Sequence, residues 1–84
     1  MTARVWFTRR ALRDIRKLSS DARRLIEIAL DALMDNPTPG DPLHGDWRGY
    51  WKFRAGAWRV IYRIRDSDDV EIQYVRHRRE AYRR

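Results

Sequence analysis

Lys52, Arg54, Arg59 and Arg78, followed closely by Tyr82, are the residues of this chain best suited to chemistry. Cations gathered at one point can grip a phosphate and stabilise the charge that develops on it during attack, and the planar fork of Arg does so through paired hydrogen bonds. RNA carries its own nucleophile, the 2′-hydroxyl, so a site of cations and a phenol need only position it in line with the leaving oxygen. In such a site Arg59 and Arg78 hold the nonbridging oxygens. Crowding by those cations favours a neutral Lys52 for proton transfer, and Tyr82 stacks on a base or exchanges protons.

Other chemistries find less support. His44 lies in a Pro/Gly-rich stretch and reads as a surface residue, while His77 directly precedes Arg78 and can hydrogen bond in the site, although strand alternation points the two apart. No His/Cys/Asp/Glu spacing resembles a metal site, so neither a metal nor another cofactor is expected. Nothing matches a phosphate-cradling glycine loop, a serine elbow or a catalytic carboxylate pair. The chain has no cysteine, which excludes disulfides and thiolate catalysis.

The elements that must position these residues are legible in the alternation of apolar and cationic side chains. Successive strand residues face opposite sides, so Trp51, Phe53, Ala55, Trp58, Val60, Tyr62 and Ile64 form an inner face, and Lys52, Arg54, Arg59, Arg63 and Arg65 an outer one. A two-residue turn at Gly56-Ala57 sets Ala55 opposite Trp58, Arg54 opposite Arg59, Phe53 opposite Val60 and Lys52 opposite Ile61. Continuing the meander through Val70 to Val75 with Ile64 opposite Val70 sets Arg63 opposite Glu71 and Arg59 opposite Val75. Arg63 then reads as a structural ion pair. Arg54 facing Arg59 is a like-charge pairing, unfavourable by up to about 1 kcal/mol, and points to a bound anion.

Upstream, Val5-Trp6-Phe7 predicts a strand, and Thr8 an N-cap for a helix through Leu18 with Ala11, Leu12, Ile15 and Leu18 inward. Its other side, Arg9, Arg10, Arg13, Arg16 and Lys17, reads as a solvated face. Ser19, Ser20 or Asp21 caps a second helix to about Asp35, with Ala22, Leu25, Ile26, Ala29, Leu30 and Leu33 inward, ended by Asn36-Pro37. The stretch from Asn36 to Gly49 reads as a connection.

The expected architecture is α+β. A compact single domain over residues 1–84 runs β-α-α-β-β-β, with a helix hairpin packed on an antiparallel meander and a short C-terminal tail or helical turn. With 84 residues its core is thin. The net charge of +7 rests on Arg rather than Lys, which suits a polyanionic partner. No apolar run is long enough for a membrane span, and a cytoplasmic protein without membrane contact is the expectation.

Leu43-His44-Gly45, Tyr50-Trp51-Lys52-Phe53-Arg54, Trp58-Arg59-Val60-Ile61-Tyr62-Arg63-Ile64 and His77-Arg78-Arg79-Glu80-Ala81-Tyr82 together resemble the RelE/ParE toxin superfamily of bacterial toxin–antitoxin systems, over essentially the full chain. The resemblance to its RelE branch implies an endoribonuclease, or mRNA interferase, that cleaves mRNA in the ribosomal A site without a metal and so inhibits translation. The family's catalytic positions fall on Lys52, Arg59, Arg78 and Tyr82. Arg54 is a supporting cation, and His77, Arg79, Arg83 and Arg84 complete the RNA-binding set. The chain has Tyr50 where the family pattern has an earlier lysine. The implied partners are the ribosome, mRNA and a cognate antitoxin, in a complex that can be higher-order and reach operator DNA through the antitoxin. The alternative is the ParE branch, which shares the fold and inhibits DNA gyrase without nuclease activity.

Overall fold

The computed structural model describes residues 4–35, 40–65 and 69–77. β1 (Val5–Phe7) leads into α1 (Arg9–Arg16) and α2 (Ser20–Asp35). These are followed by β2 (Asp41–Pro42), a 3-10 turn (Gly45–Trp47), β3 (Tyr50–Ala55), β4 (Trp58–Ile64) and β5 (Val70–His77). The strands form one sheet in the order β1-β5-β4-β3-β2. The expected meander β3-β4-β5 is antiparallel, but the sheet as a whole is mixed, because β1 joins β5 in parallel. At the far edge β2 pairs with β3 inside what the sequence reads as a loop.

Thr8 begins α1 in an extended conformation, and its Oγ1 accepts a hydrogen bond from the Ala11 amide at 3.0 Å, satisfying one of the free amides of the first turn. The same hydroxyl donates to the Gln73 carbonyl at 2.6 Å, so the cap also ties the helix to β5. Beyond Ile72, β5 has no further pairing with β1, and α1 covers that edge: the Val75 amide donates to Asp14 Oδ2 at 3.0 Å. At the other end of α1, Arg23 of α2 donates to the carbonyls of Ile15 and Arg16, at 3.2 and 3.0 Å. A cation on the last carbonyls of a helix satisfies them and complements its dipole. Ser19 accepts from the Ala22 amide at 3.2 Å to start α2.

Both helices pack on the inner face of the sheet. The core joins Ala11, Leu18, Ala22, Ile26 and Leu33 to Ala55, Val60, Tyr62, Val70, Ile72 and Val75. Leu12 and Leu25, expected inward, are exposed. α1 is only eight residues long, so it buries a narrow stripe that Leu12 falls outside. Leu25 instead lies over the β3–β4 turn: a Cβ on Gly56 would come within 3.0 Å of its Cδ1. Gly56 itself has φ of 62°, the left-handed conformation that a tight hairpin requires and glycine adopts freely. Tyr62, in the centre of the core, is fully buried against Phe53, with ring centroids 5.6 Å apart. Burial raises its pKa, partly offset by the Gly40 amide, while Asp41 adds to the rise. Among the described residues no helix is long and apolar enough to cross a membrane.

Candidate functional site

The β3–β4 hairpin has the register expected from sequence, with Ala55, Arg54, Phe53 and Lys52 opposite Trp58, Arg59, Val60 and Ile61. The β4–β5 pair begins as expected, with Ile64 opposite Val70 and Arg63 opposite Glu71. It then slips. Tyr62 faces Ile72 while Ile61 faces Tyr74, leaving Gln73 as an extra residue on β5. Arg59 is therefore opposite Arg76, and Val75, expected there, faces Val60 and enters the core.

This slip arranges the outer face in three rows across β3, β4 and β5. At one end lie Tyr50, Arg63 and Glu71, in the middle Lys52, Ile61 and Tyr74, and at the end nearest the hairpin turn Arg54, Arg59 and Arg76. Neighbouring strands are roughly 4.8 Å apart, so the last row sets three guanidinium stems side by side. Such a row is unfavourable in isolation and attractive to an anion. Arg54 and Arg59, with Gly56, Ala57 and Trp58, line a pocket of about 50 Å³, and the Nε and Nη1 atoms of Arg59 are shielded from solvent.

The opposite end is neutralised. Arg63 Nε donates to Glu71 Oε1 at 2.8 Å, as its cross-strand position predicts, and Arg65 Nη2 donates to Oε2 at 2.6 Å. These hydrogen bonds, Arg63 first and Arg65 second, lower the Glu71 pKa from 4.5 to about 2. The Arg65 guanidinium also lies over the Trp6 ring, 4.9 Å from its centroid.

The fold thus brings Lys52, Arg54 and Arg59 onto one face. His77 is across from Trp58, its ring edge-on at 5.3 Å, on the opposite face of the sheet from the Arg row. Arg78, Arg79, Tyr82, Arg83 and Arg84 lie outside the described residues. Arg76 was missed, although the sequence held a signal for it. Strict alternation through Val70-Glu71-Ile72-Gln73-Tyr74-Val75-Arg76 would bury Arg76 and expose Val75, and one extra residue reverses both. Arg10, read as part of a solvated face, instead lies 4.3 Å from the Tyr74 ring centroid. Trp47 of the 3-10 turn also reaches the outer face, edge-on to Tyr50 and Tyr74.

Comparison with known proteins agrees with this fold. Residues 5–82 match the family model of the ParE toxin of type II toxin–antitoxin systems. Toxin RelG of Mycobacterium tuberculosis is 37% identical over 83 residues, covering 95% of each chain, and Toxin RelE of the same organism is 35% identical over 82 residues, covering 94% of this chain and 84% of that one. The crystal structure of the RelBE2 toxin–antitoxin complex from M. tuberculosis contains a chain that superposes with a TM-score of 0.82 at 34% identity, covering 92% of this chain and 99% of that one. The chain belongs to the RelE/ParE superfamily, as a RelE-family toxin of the type II toxin–antitoxin class.

Proposed function

We propose that this toxin is a metal-independent endoribonuclease that cleaves mRNA in the ribosomal A site. The observation that carries the reading is the row Arg54–Arg59–Arg76, with Lys52 one row away on the same face. In the proposed reaction the 2′-hydroxyl oxygen attacks the adjacent phosphorus and the bond to the 5′-oxygen breaks. The products are a 2′,3′-cyclic phosphate and a 5′-hydroxyl. Arg59 and Arg78 hold the nonbridging oxygens as charge builds on them, and Lys52 and Tyr82 handle the proton leaving the 2′-oxygen and the one reaching the 5′-oxygen. Arg54, Arg79, Arg83 and Arg84 hold the RNA, whereas His77, expected among them, faces away from the Arg row against Trp58 and takes no part. The toxin acts in the cytoplasm, with the ribosome and mRNA as partners.

A cognate antitoxin neutralises it by wrapping the helix layer and reaching round to the basic face. Two features support that partner: a relative of known structure was crystallised as a toxin–antitoxin complex, and the helix layer, behind the sheet, exposes Leu12, Leu25 and Ile28.

Purified toxin added to ribosomes programmed with a defined mRNA should cut at codon-spaced positions, and added antitoxin should abolish the cuts. Intact mRNA in the presence of folded toxin contradicts the proposal. The family model carries the ParE description, so a gyrase-inhibiting reading makes its own demand. It requires loss of DNA supercoiling in a gyrase assay, retained in Lys52→Ala. Normal supercoiling at toxin concentrations that cleave mRNA rejects it.

A further inference from the structure

Trp47 is a large aromatic on the outer face that the proposed cleavage leaves unused. Its ring meets Tyr50 edge-on at 5.2 Å and 84°, and Tyr74 at 5.8 Å and 66°. Tyr50 belongs to β3 and Tyr74 to β5, so a ring touching both lies across β4, where Ile61 is only 3% exposed. Tyr74 is in turn held by the Arg10 guanidinium from α1. Trp47 is therefore fixed in orientation by its neighbours yet 39% exposed.

A rigid aromatic with an open surface suits stacking on a nucleobase. Such stacking tolerates any sequence, because every base has a π-face, and a ring already held in place loses little freedom on binding. Tyr74 is one two-residue strand step from the Arg row and Tyr50 is two, so Trp47 lies roughly 7–14 Å from that row, the span of one to two extended nucleotides. We propose that Trp47 is the stacking platform for a base one or two nucleotides from the phosphate held by Arg54, Arg59 and Arg76, with single-stranded RNA as the occupant. The inference rests on reading this toxin as an RNA-cleaving enzyme, and it adds a base-binding position to a site so far built of cations.

The test is fluorescence anisotropy with the full-length toxin, using a short single-stranded oligoribonucleotide 2′-O-methylated to block cleavage and an abasic oligomer with the same phosphates. Wild type should bind the base-bearing oligomer more tightly. Trp47→Ala should weaken that binding by roughly 5- to 100-fold and leave the abasic oligomer unaffected, while Trp47→Phe keeps most of the affinity. Arg54→Ala should weaken both oligomers. Equal wild-type affinity for the two oligomers, no binding of either, unchanged affinity in Trp47→Ala, or equal losses on both oligomers would each overturn the proposal. The probe is neither cleaved nor ribosome-bound, so a negative result leaves the cleavage reading standing. Absence of mRNA cleavage on ribosomes likewise leaves this binding result interpretable.

Discussion

At the scale of single residues, one carboxylate divides the outer face of the sheet. Glu71 neutralises Arg63 and Arg65 at one end, and the other end is the row of Arg54, Arg59 and Arg76. The Glu71 pKa in the fold, about 2, lies below its ordinary value of 4.5, so the stabilisation it provides is fully present above pH 4.5 and is lost as pH falls toward 2. Both arginines are more than a third exposed, and solvent screening holds the contribution to about 1 kcal/mol. Urea unfolding across this window should show wild type losing stability that Glu71→Gln lacks at every pH. Parallel pH profiles for the two proteins would contradict the assignment. The Arg row makes a separate prediction: each cation that meets a phosphate contributes to the salt dependence of RNA binding. Arg76→Ala should reduce the slope of log affinity against log salt by about 0.7, whereas Arg63→Ala should leave it nearly unchanged.

At the scale of elements, the extra residue in β5 decides which side chains reach the site. Deleting Gln73, the extra residue, would remove the bulge and leave Tyr74 and Arg76 on the outer face and Val75 in the core. RNA binding measured by anisotropy should survive the deletion, and its loss would contradict the assignment of Gln73 as the extra residue. Thr8 is a second such element: its hydroxyl caps α1 and anchors β5. Thr8→Ala should cost about 1–2 kcal/mol of stability in urea unfolding, and Thr8→Ser should recover most of it. The same features explain what could be read from sequence. The hairpin at Gly56-Ala57, the Thr8 cap and the Arg63–Glu71 pair are local or follow from period-two alternation, and each is found as expected. The parallel docking of β1 on β5 depends on residues 65 positions apart, as from Val5 to Val70, which no local pattern encodes. β2 is only two residues long, too short to leave a periodic signal. Of the site, Lys52, Arg54 and Arg59 were legible because the hairpin register fixes their face. Arg76 was obscured by the bulge, and Trp47 reaches the sheet from an irregular turn.

At the scale of the whole molecule, charge is uneven along the chain. α1 carries Arg9, Arg10, Arg13 and Arg16 and the outer face of the sheet carries Lys52 and the Arg row, while Glu27, Asp31 and Asp35 are exposed on the later turns of α2. A molecule of net charge +7 with acids gathered at the end of α2 approaches a polyanion in a preferred orientation, and that approach weakens with salt. In the proposed division of the outer face, the Arg row serves phosphate chemistry and the Glu71 end serves stability. Single-turnover mRNA cleavage on programmed ribosomes, comparing wild type with Arg59→Ala and Arg63→Ala, tests it most directly. Arg59→Ala should cut the rate by roughly 100-fold or more, the size expected when a group stabilising transition-state charge is removed, and Arg63→Ala should cleave at a near-normal rate. Equal losses in the two variants, or undiminished cleavage by Arg59→Ala, would contradict it.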